Sequence, residues 1–322
     1  MIFQLLAIAV FLASLILAVA YICFRIVFYV PKKQNLSSDE LPVPEGAIYE
    51  PYHPIMKKWI LEARSFPQED CYITSHDGLK LHAKYFEYEK GAVTEIMFHG
   101  YRGSAERDLS GGIQRCFALG RNVLLIDQRT SCGSEGNVIS FGINEHKDCL
   151  AWIDFAVKKF GPDVKLILTG ISMGASTVLM ASGKPLPENV VGVLADCGFS
   201  SPKEIIQKCA RDLHLPARLL YPFIKLGAKI FGHFDLEEYT PLEAMKTCKI
   251  PVIFFHGEDD DFVPCEMSHE IYNACTSPKR IITVPKAGHG LVYLVDNNKY
   301  FQNVVEFFSE NGVETKLVKK VI

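Results

Sequence analysis

The run Val164-Lys165-Leu166-Ile167-Leu168-Thr169, then Gly170-Ile171-Ser172-Met173-Gly174, then Ala175 to Ala181 constrains this chain more than any other stretch. An apolar strand, a G-x-S-x-G turn and an apolar helix, in that order, form a sharp bend that lifts the serine hydroxyl to the top of a sheet. A side chain at either glycine would crowd the bend. The pattern marks Ser172 as a candidate nucleophile on a strand–turn–helix unit.

The surrounding sequence repeats the same alternation. Cys71 to Ser75 and Leu79 to Tyr88 flank His76-Asp77-Gly78, and Asp-Gly between two such runs predicts a β-hairpin. Further short strands are expected at Val93–Phe98, Asn122–Ile126, Val164–Thr169, Val190–Ala195, Val252–Phe255 and Arg280–Val284. His53–Phe66 and Glu145–Phe160 carry helical spacing, and helical patterns separate most of the strands. Alternation of this kind predicts an α/β fold, a mostly parallel central sheet with helices on both faces. Between Ala195 and Val252 lie more than fifty residues, including the apolar run Leu213 to Phe234. A single crossover helix needs far fewer, so a helical cap over the sheet edge, at about 200–245, is expected to wall an apolar cavity.

Met1 to Phe24 contains no charged side chain. A helix of that length can cross a ~30 Å hydrocarbon core. Three readings compete: a transmembrane anchor, a signal peptide cleaved after Ala18-Val19-Ala20, and a buried core helix. No Lys or Arg precedes Arg25 and the apolar run is long, which argues against a signal peptide. An apolar circumference argues against a surface helix. The anchor reading is favoured, with Arg25, Lys32 and Lys33 placing the rest of the chain on the cytoplasmic side. Pro31 to Pro54 holds five prolines and reads as a stiff connector that lifts the globular part off the bilayer. The expected organisation is an anchor at 1–30, a linker and edge helix at 31–66, and an α/β domain at 67–322. Ten cysteines without C-x-x-C pairs fit reduced thiols better than a disulfide framework. A net charge of −3 with no long basic run gives no support for nucleic-acid binding.

A serine hydroxyl needs a base within hydrogen-bond reach. After Ser172 the chain offers His256-Gly257-Glu258-Asp259-Asp260-Asp261-Phe262-Val263-Pro264 and then Ala287-Gly288-His289-Gly290, each after an expected strand. Together with His99-Gly100-Tyr101-Arg102-Gly103, Asp127-Gln128-Arg129, Gly133-Ser134-Glu135-Gly136 and Ala195-Asp196-Cys197-Gly198, these motifs resemble the α/β-hydrolase superfamily. Within it they are similar to the serine-aminopeptidase-like (hydrolase-4-like) branch, particularly its membrane-anchored bacterial subgroup. The resemblance spans roughly Cys71 to Phe308. It implies an α/β-hydrolase fold with Ser172 as nucleophile, His289 as base and Asp260 as the acid that orients it. Asp259 and Asp261 flank Asp260, and Asp196 ends another strand, so these three remain alternative positions for the acid. The backbone N–H groups of Met173 and Tyr101 are the expected oxyanion donors. His99, His256, Asp127 and Arg129 are expected to brace loops.

The function implied is a membrane-anchored serine hydrolase that cleaves carboxylic esters, with acyl or lipid-like substrates among them, through an acyl-enzyme. No cofactor or metal is called for, since the histidines do not form H-E-x-x-H and no glycine-rich loop has phosphate-binding context. The expected partners are a small-molecule ester or acyl substrate and the lipid bilayer, with no nucleic acid. One alternative is a serine peptidase of the aminopeptidase type, with Glu237 and Glu238 holding the substrate amine. The other is a catalytically dead, membrane-anchored binding protein.

Overall fold

The computed structural model describes residues 1–31, 40–313, 315, 317 and 318. In chain order the helices are α1 (Ile2–Val27), α2 (His53–Ser65), α3 (Ala105–Ala118), α4 (Glu145–Phe160), α5 (Met173–Ser182), α6 (Pro202–Asp212), α7 (Ala217–Phe231), α8 (Pro241–Met245), α9 (Cys265–Ala274), α10 (Val292–Val295) and α11 (Asn297–Glu310). The strands are β1 (Glu69–Thr74), β2 (Lys80–Phe86), β3 (Thr94–Phe98), β4 (Asn122–Asp127), β5 (Leu166–Ile171), β6 (Val190–Asp196), β7 (Val252–Gly257) and β8 (Lys279–Val284).

One eight-stranded sheet runs in the order β1-β2-β4-β3-β5-β6-β7-β8. β1 and β2 form the antiparallel hairpin around Gly78, and β2 also meets β4 antiparallel. All remaining pairs are parallel. Strands buried on both faces read as continuous apolar runs, and side-chain alternation divides them between two layers. Leu166 and Leu168 of β5 face α4, α5, α8 and α9. Ile167, between them, faces α11 on the other side. Local chemistry starts the helices: Ser201 and Thr240 each accept a hydrogen bond from the N–H three residues on, at Glu204 and Glu243, the N-terminal half of a capping box.

Two expectations about the periphery need correction. The segment after α1 does not lift the domain away from the helix. Residues 2–18 of α1 are exposed, but Ala20, Phe24 and Phe28 are buried in the domain. Tyr29 then bridges to Val138, and the Tyr101 hydroxyl donates to the Val27 carbonyl at 2.6 Å. An apolar helix end beside an apolar face removes both from water, so the two pack with no spacer between them. Lys32 and Lys33 lie outside the described residues.

The helices α6 to α8 occur where a cap was expected, yet they do not enclose the cavity beside Ser172. Their inward side chains Ile205, Ile206, Tyr221 and Ile224 pack solidly against Phe28, Phe141, Met173 and Phe199. The space under a hollow cap is filled by aromatic rings and by the end of α1.

Candidate active site

Ser172 sits between β5 and α5 with φ +55° and ψ −121°. A non-glycine residue there is strained and persists only where its surroundings over-determine it. Here they do. The Ser172 N–H donates to the Asp196 carbonyl at 2.8 Å, and the Ser172 carbonyl accepts from Ser176 N–H at 3.1 Å. The two glycines are required by space. A Cβ on Gly170 would lie 2.2 Å from the Gly174 oxygen, and one on Gly174 would lie 2.0 Å from the Phe98 oxygen.

Asp260 and His289 come from the loops after β7 and β8. His289 Nδ1 is 2.7 Å from Asp260 Oδ2. Asp260 Oδ1 accepts from the N–H groups of Phe262 and Val263 at 2.9 and 2.8 Å, which fixes the carboxylate plane. Burial alone would raise the Asp260 pKa, but hydrogen bonds from His256 and His289 outweigh it and hold the carboxyl well below the usual carboxylate range. Among the three consecutive aspartates only Asp260 is buried; Asp259 and Asp261 are exposed to solvent at the cavity mouth. A carboxylate bound to Nδ1 sets the tautomer that leaves Nε2 unprotonated.

His289 and Ser172 line the same cavity of about 1290 Å³. Their loops touch: a Cβ on Gly290 would lie 2.8 Å from Ile171 Cδ1. Met173 N–H opens α5, so it has no acceptor one turn back. Gly100, just before Tyr101, lies against the serine; a Cβ there would be 3.4 Å from Ser172 Cβ. The Gly100 N–H donates to Asp108 Oδ2 at 3.1 Å, and this anchors the loop that carries Tyr101 N–H.

His99 is engaged elsewhere, whereas His256 backs the acid, its Nε2 3.3 Å from Asp260 Oδ2. His99 accepts from Gln128 N–H at 3.1 Å, and His256 sits 2.6 Å from Ser268 Oγ and 2.8 Å from the Val263 carbonyl. Asp127 meets His82 Nδ1 at 2.7 Å, while Arg129 is gripped by Asp148 and Asp77. Glu237 pairs with Lys225, and Glu238 with Lys147; neither lines the cavity, so they do not form the amine-holding cluster that the peptidase alternative needs.

Sequence reasoning missed two residues here. Tyr49, from the segment before α2, donates its hydroxyl to the His289 carbonyl at 3.0 Å. Residues 40–49 roof the cavity in the place assigned to the cap. No periodicity connects positions 240 residues apart. Asp108 is the second, hidden because an acid in the first turn of a helix reads as an ordinary charge at the helix start. Asp196, the alternative acid at the end of β6, is not bonded to His289: its Oδ1 has no partner among the described residues, and burial pushes its pKa up to about 6.

Among the described residues two groups come close enough to suggest a metal: Cys197, Asp260 and His289, and His76, Asp77 and Asp148. In the first, burial pushes the Cys197 thiol far up, and Asp260 and His289 already bind each other. In the second, the Arg129 guanidinium occupies the carboxylates and supplies the positive charge that a cation would bring.

Residues 139–313, which include Ser172, Asp260 and His289, match the prolyl oligopeptidase family. The chain is 27% identical over 199 residues to protein YqkD of Bacillus subtilis, covering 62% of this chain and 65% of that relative, a little under two thirds of its length. It is 26% identical over 234 residues to protein bem46 of Schizosaccharomyces pombe, covering 71% of each. Its fold is similar to that of the Pyrococcus furiosus esterase Pf2001, with a TM-score of 0.64 at 21% identity, covering 84% of this chain and 98% of that one. The parallel sheet, the glycine-flanked turn at its edge and a match over more than half the chain lead to one assignment: this α/β-hydrolase fold belongs to the prolyl oligopeptidase family.

Proposed function

We propose that this protein is a membrane-tethered serine hydrolase that cleaves carboxylic esters through an acyl-enzyme. The observation that carries the reading is the 2.7 Å Asp260–His289 bond at the rim of the cavity that Ser172 shares. Ser172 Oγ attacks the ester carbonyl while His289 Nε2 takes its proton. The oxyanion forms against the N–H groups of Met173 and Tyr101. The C–O bond of the ester then breaks, and the leaving alkoxide takes the proton from His289. Water, deprotonated by His289, attacks the acyl-serine, releases the carboxylic acid and returns the proton to Ser172.

Esters and acyl groups are favoured over peptides for two reasons. The acids expected from the sequence to hold a substrate amine, Glu237 and Glu238, pair with lysines away from the cavity, and the fold resembles that of an esterase; the cavity's own acids, Glu45, Asp259 and Asp261, stand on the peptidase side. The peptidase reading keeps the support of the family's name. The organisation we adopt is an anchor at 1–30, a linker and edge helix at 31–66 and the hydrolase domain at 67–322, facing the cytoplasm because the basic residues follow the apolar helix. Residues 200–245 are then a buttress and not a hollow cap.

A fluorophosphonate probe tests the serine. Labelling that disappears in Ser172→Ala supports catalysis, and a folded protein that takes no label is a binding protein. p-Nitrophenyl esters of graded length beside aminoacyl-p-nitroanilides test the bond. Turnover of the anilides alone would replace the esterase reading by the peptidase. Digestion of the domain by protease added outside intact cells would overturn the cytoplasmic placement.

A further inference from the structure

The free part of α1 is too short for the task assigned to it. Residues 2–18 are exposed throughout; from Val19 onward one face of the helix, with Ala20 and Phe24, is covered by the domain while Tyr21, Ile22, Arg25 and Ile26 on the other face stay exposed. At 1.5 Å per residue the free part reaches about 25 Å, short of the ~30 Å hydrocarbon core. A spanning α1 must therefore draw part of the domain to the bilayer surface.

The element drawn in is α7. A Cβ on Gly227 would come within 2.4 Å of the Ala20 carbonyl oxygen. The Phe231 ring lies 5.1 Å from Tyr21 and 5.9 Å from Phe24, and Phe234 lies 5.3 Å from Phe28. These contacts advance in the same direction along both segments. So α7 runs alongside α1 in the same sense, and its first turn points toward the free, apolar end of α1. That end carries the α6–α7 corner, where Leu213, Leu215 and Leu219 are 70%, 47% and 66% exposed. Three leucines presented together at a corner are unlike the scattered apolar residues of an ordinary surface. Arg211 and Arg218 are exposed beside them, the flanking charge that suits anionic headgroups.

We propose that the α6–α7 corner inserts into the same bilayer that α1 spans, with Leu213, Leu215 and Leu219 in the acyl boundary and Arg211 and Arg218 at headgroup level. The partner is the lipid surface itself, and the domain is held against it at two points. The proposal rests on the reading of α1 as a membrane span and is independent of the chemistry at Ser172.

Tryptophan quenching tests it on the full chain in vesicles of phosphatidylcholine and phosphatidylglycerol with brominated acyl chains. The native Trp59 and Trp152 are buried and give a constant background. Leu219→Trp probes the corner, and Ile8→Trp probes α1. Tyr88→Trp, at the opposite end of the sheet beside Asn122, is the control. The expected result is loss of the added emission for Leu219→Trp comparable with that for Ile8→Trp, and none for Tyr88→Trp. Quenching at Ile8→Trp with none at Leu219→Trp overturns the proposal. If the unquenched Leu219→Trp emission is also blue-shifted, a second copy of the chain covers the corner instead. If Ile8→Trp is unquenched, the membrane reading of α1 falls and the proposal falls with it.

Discussion

At the scale of single residues, the site separates three neighbouring acids by burial and hydrogen bonding, not by spacing. Asp260→Asn keeps the shape but leaves an amide facing Nδ1 of His289, which favours the wrong tautomer. Ester turnover at neutral pH should fall about 10⁴-fold with little loss of stability, measured by kcat and by thermal melting. Asp196 gives a separate pH signature. Its folded pKa of about 6 lies above the ordinary carboxylate value because of burial. The folded state therefore holds the proton more tightly, and stability falls as pH rises from about 4 to about 6, then levels off. The size is roughly 3 kcal/mol, because each tenfold gain in proton affinity on folding contributes about 1.4 kcal/mol. Urea unfolding between pH 4 and 7 should show this slope in the parent and lose it in Asp196→Asn. A serine between two glycines and a histidine after a strand are local patterns, so these residues were legible as candidates. The lack of a partner for Asp196 Oδ1 among the described residues was not, because only the folded surroundings withhold one.

At the scale of elements, close approach is decided where side chains are absent. Gly227 lets α7 rest on the Ala20 carbonyl. Gly227→Leu should force the helices apart and make α1 cleavable by protease near Phe28 in detergent, with a lower melting temperature; an unchanged cleavage pattern would show that the contact is dispensable. The segment roofing the cavity is tied to the His289 loop by the Tyr49 hydroxyl. Tyr49→Phe removes that bond and should cost about 1 kcal/mol in urea unfolding, with a lower kcat because the loop bearing His289 loosens. Strands and helices of the sheet were readable because their apolar periods of 2 and 3.6 are written locally. The roof was not, because a proline-rich segment has no period and its position follows from what it covers.

At the scale of the molecule, the apolar helix and the hydrolase fold share a core. Phe24, Phe28, Phe141, Phe199 and Met173 belong to one buried cluster, so the backing of the Ser172 turn continues into the end of α1. Two truncations separate the exposed part of α1 from the core. Removing residues 2–18 should leave the melting temperature of the domain unchanged in detergent, since those side chains are exposed. Removing residues 2–30 strips Phe24 and Phe28 from the cluster and should cost several kcal/mol, as large apolar deletions from cores do. Equal stability of the two truncated forms would refute the shared core.

The sequence by itself determined the layered α/β architecture, the sharp turn at Ser172 and the two loops that bring Asp260 and His289 to the same sheet edge. Each follows from neighbours within a few positions, where backbone geometry and hydrophobic period act. Only the tertiary structure decided which of three acids faces the imidazole, that residues 40–49 and not α6–α8 roof the cavity, and that α1 ends inside the domain. Those outcomes depend on which apolar surfaces meet across long chain separations, and close packing settles that only when the whole chain has folded.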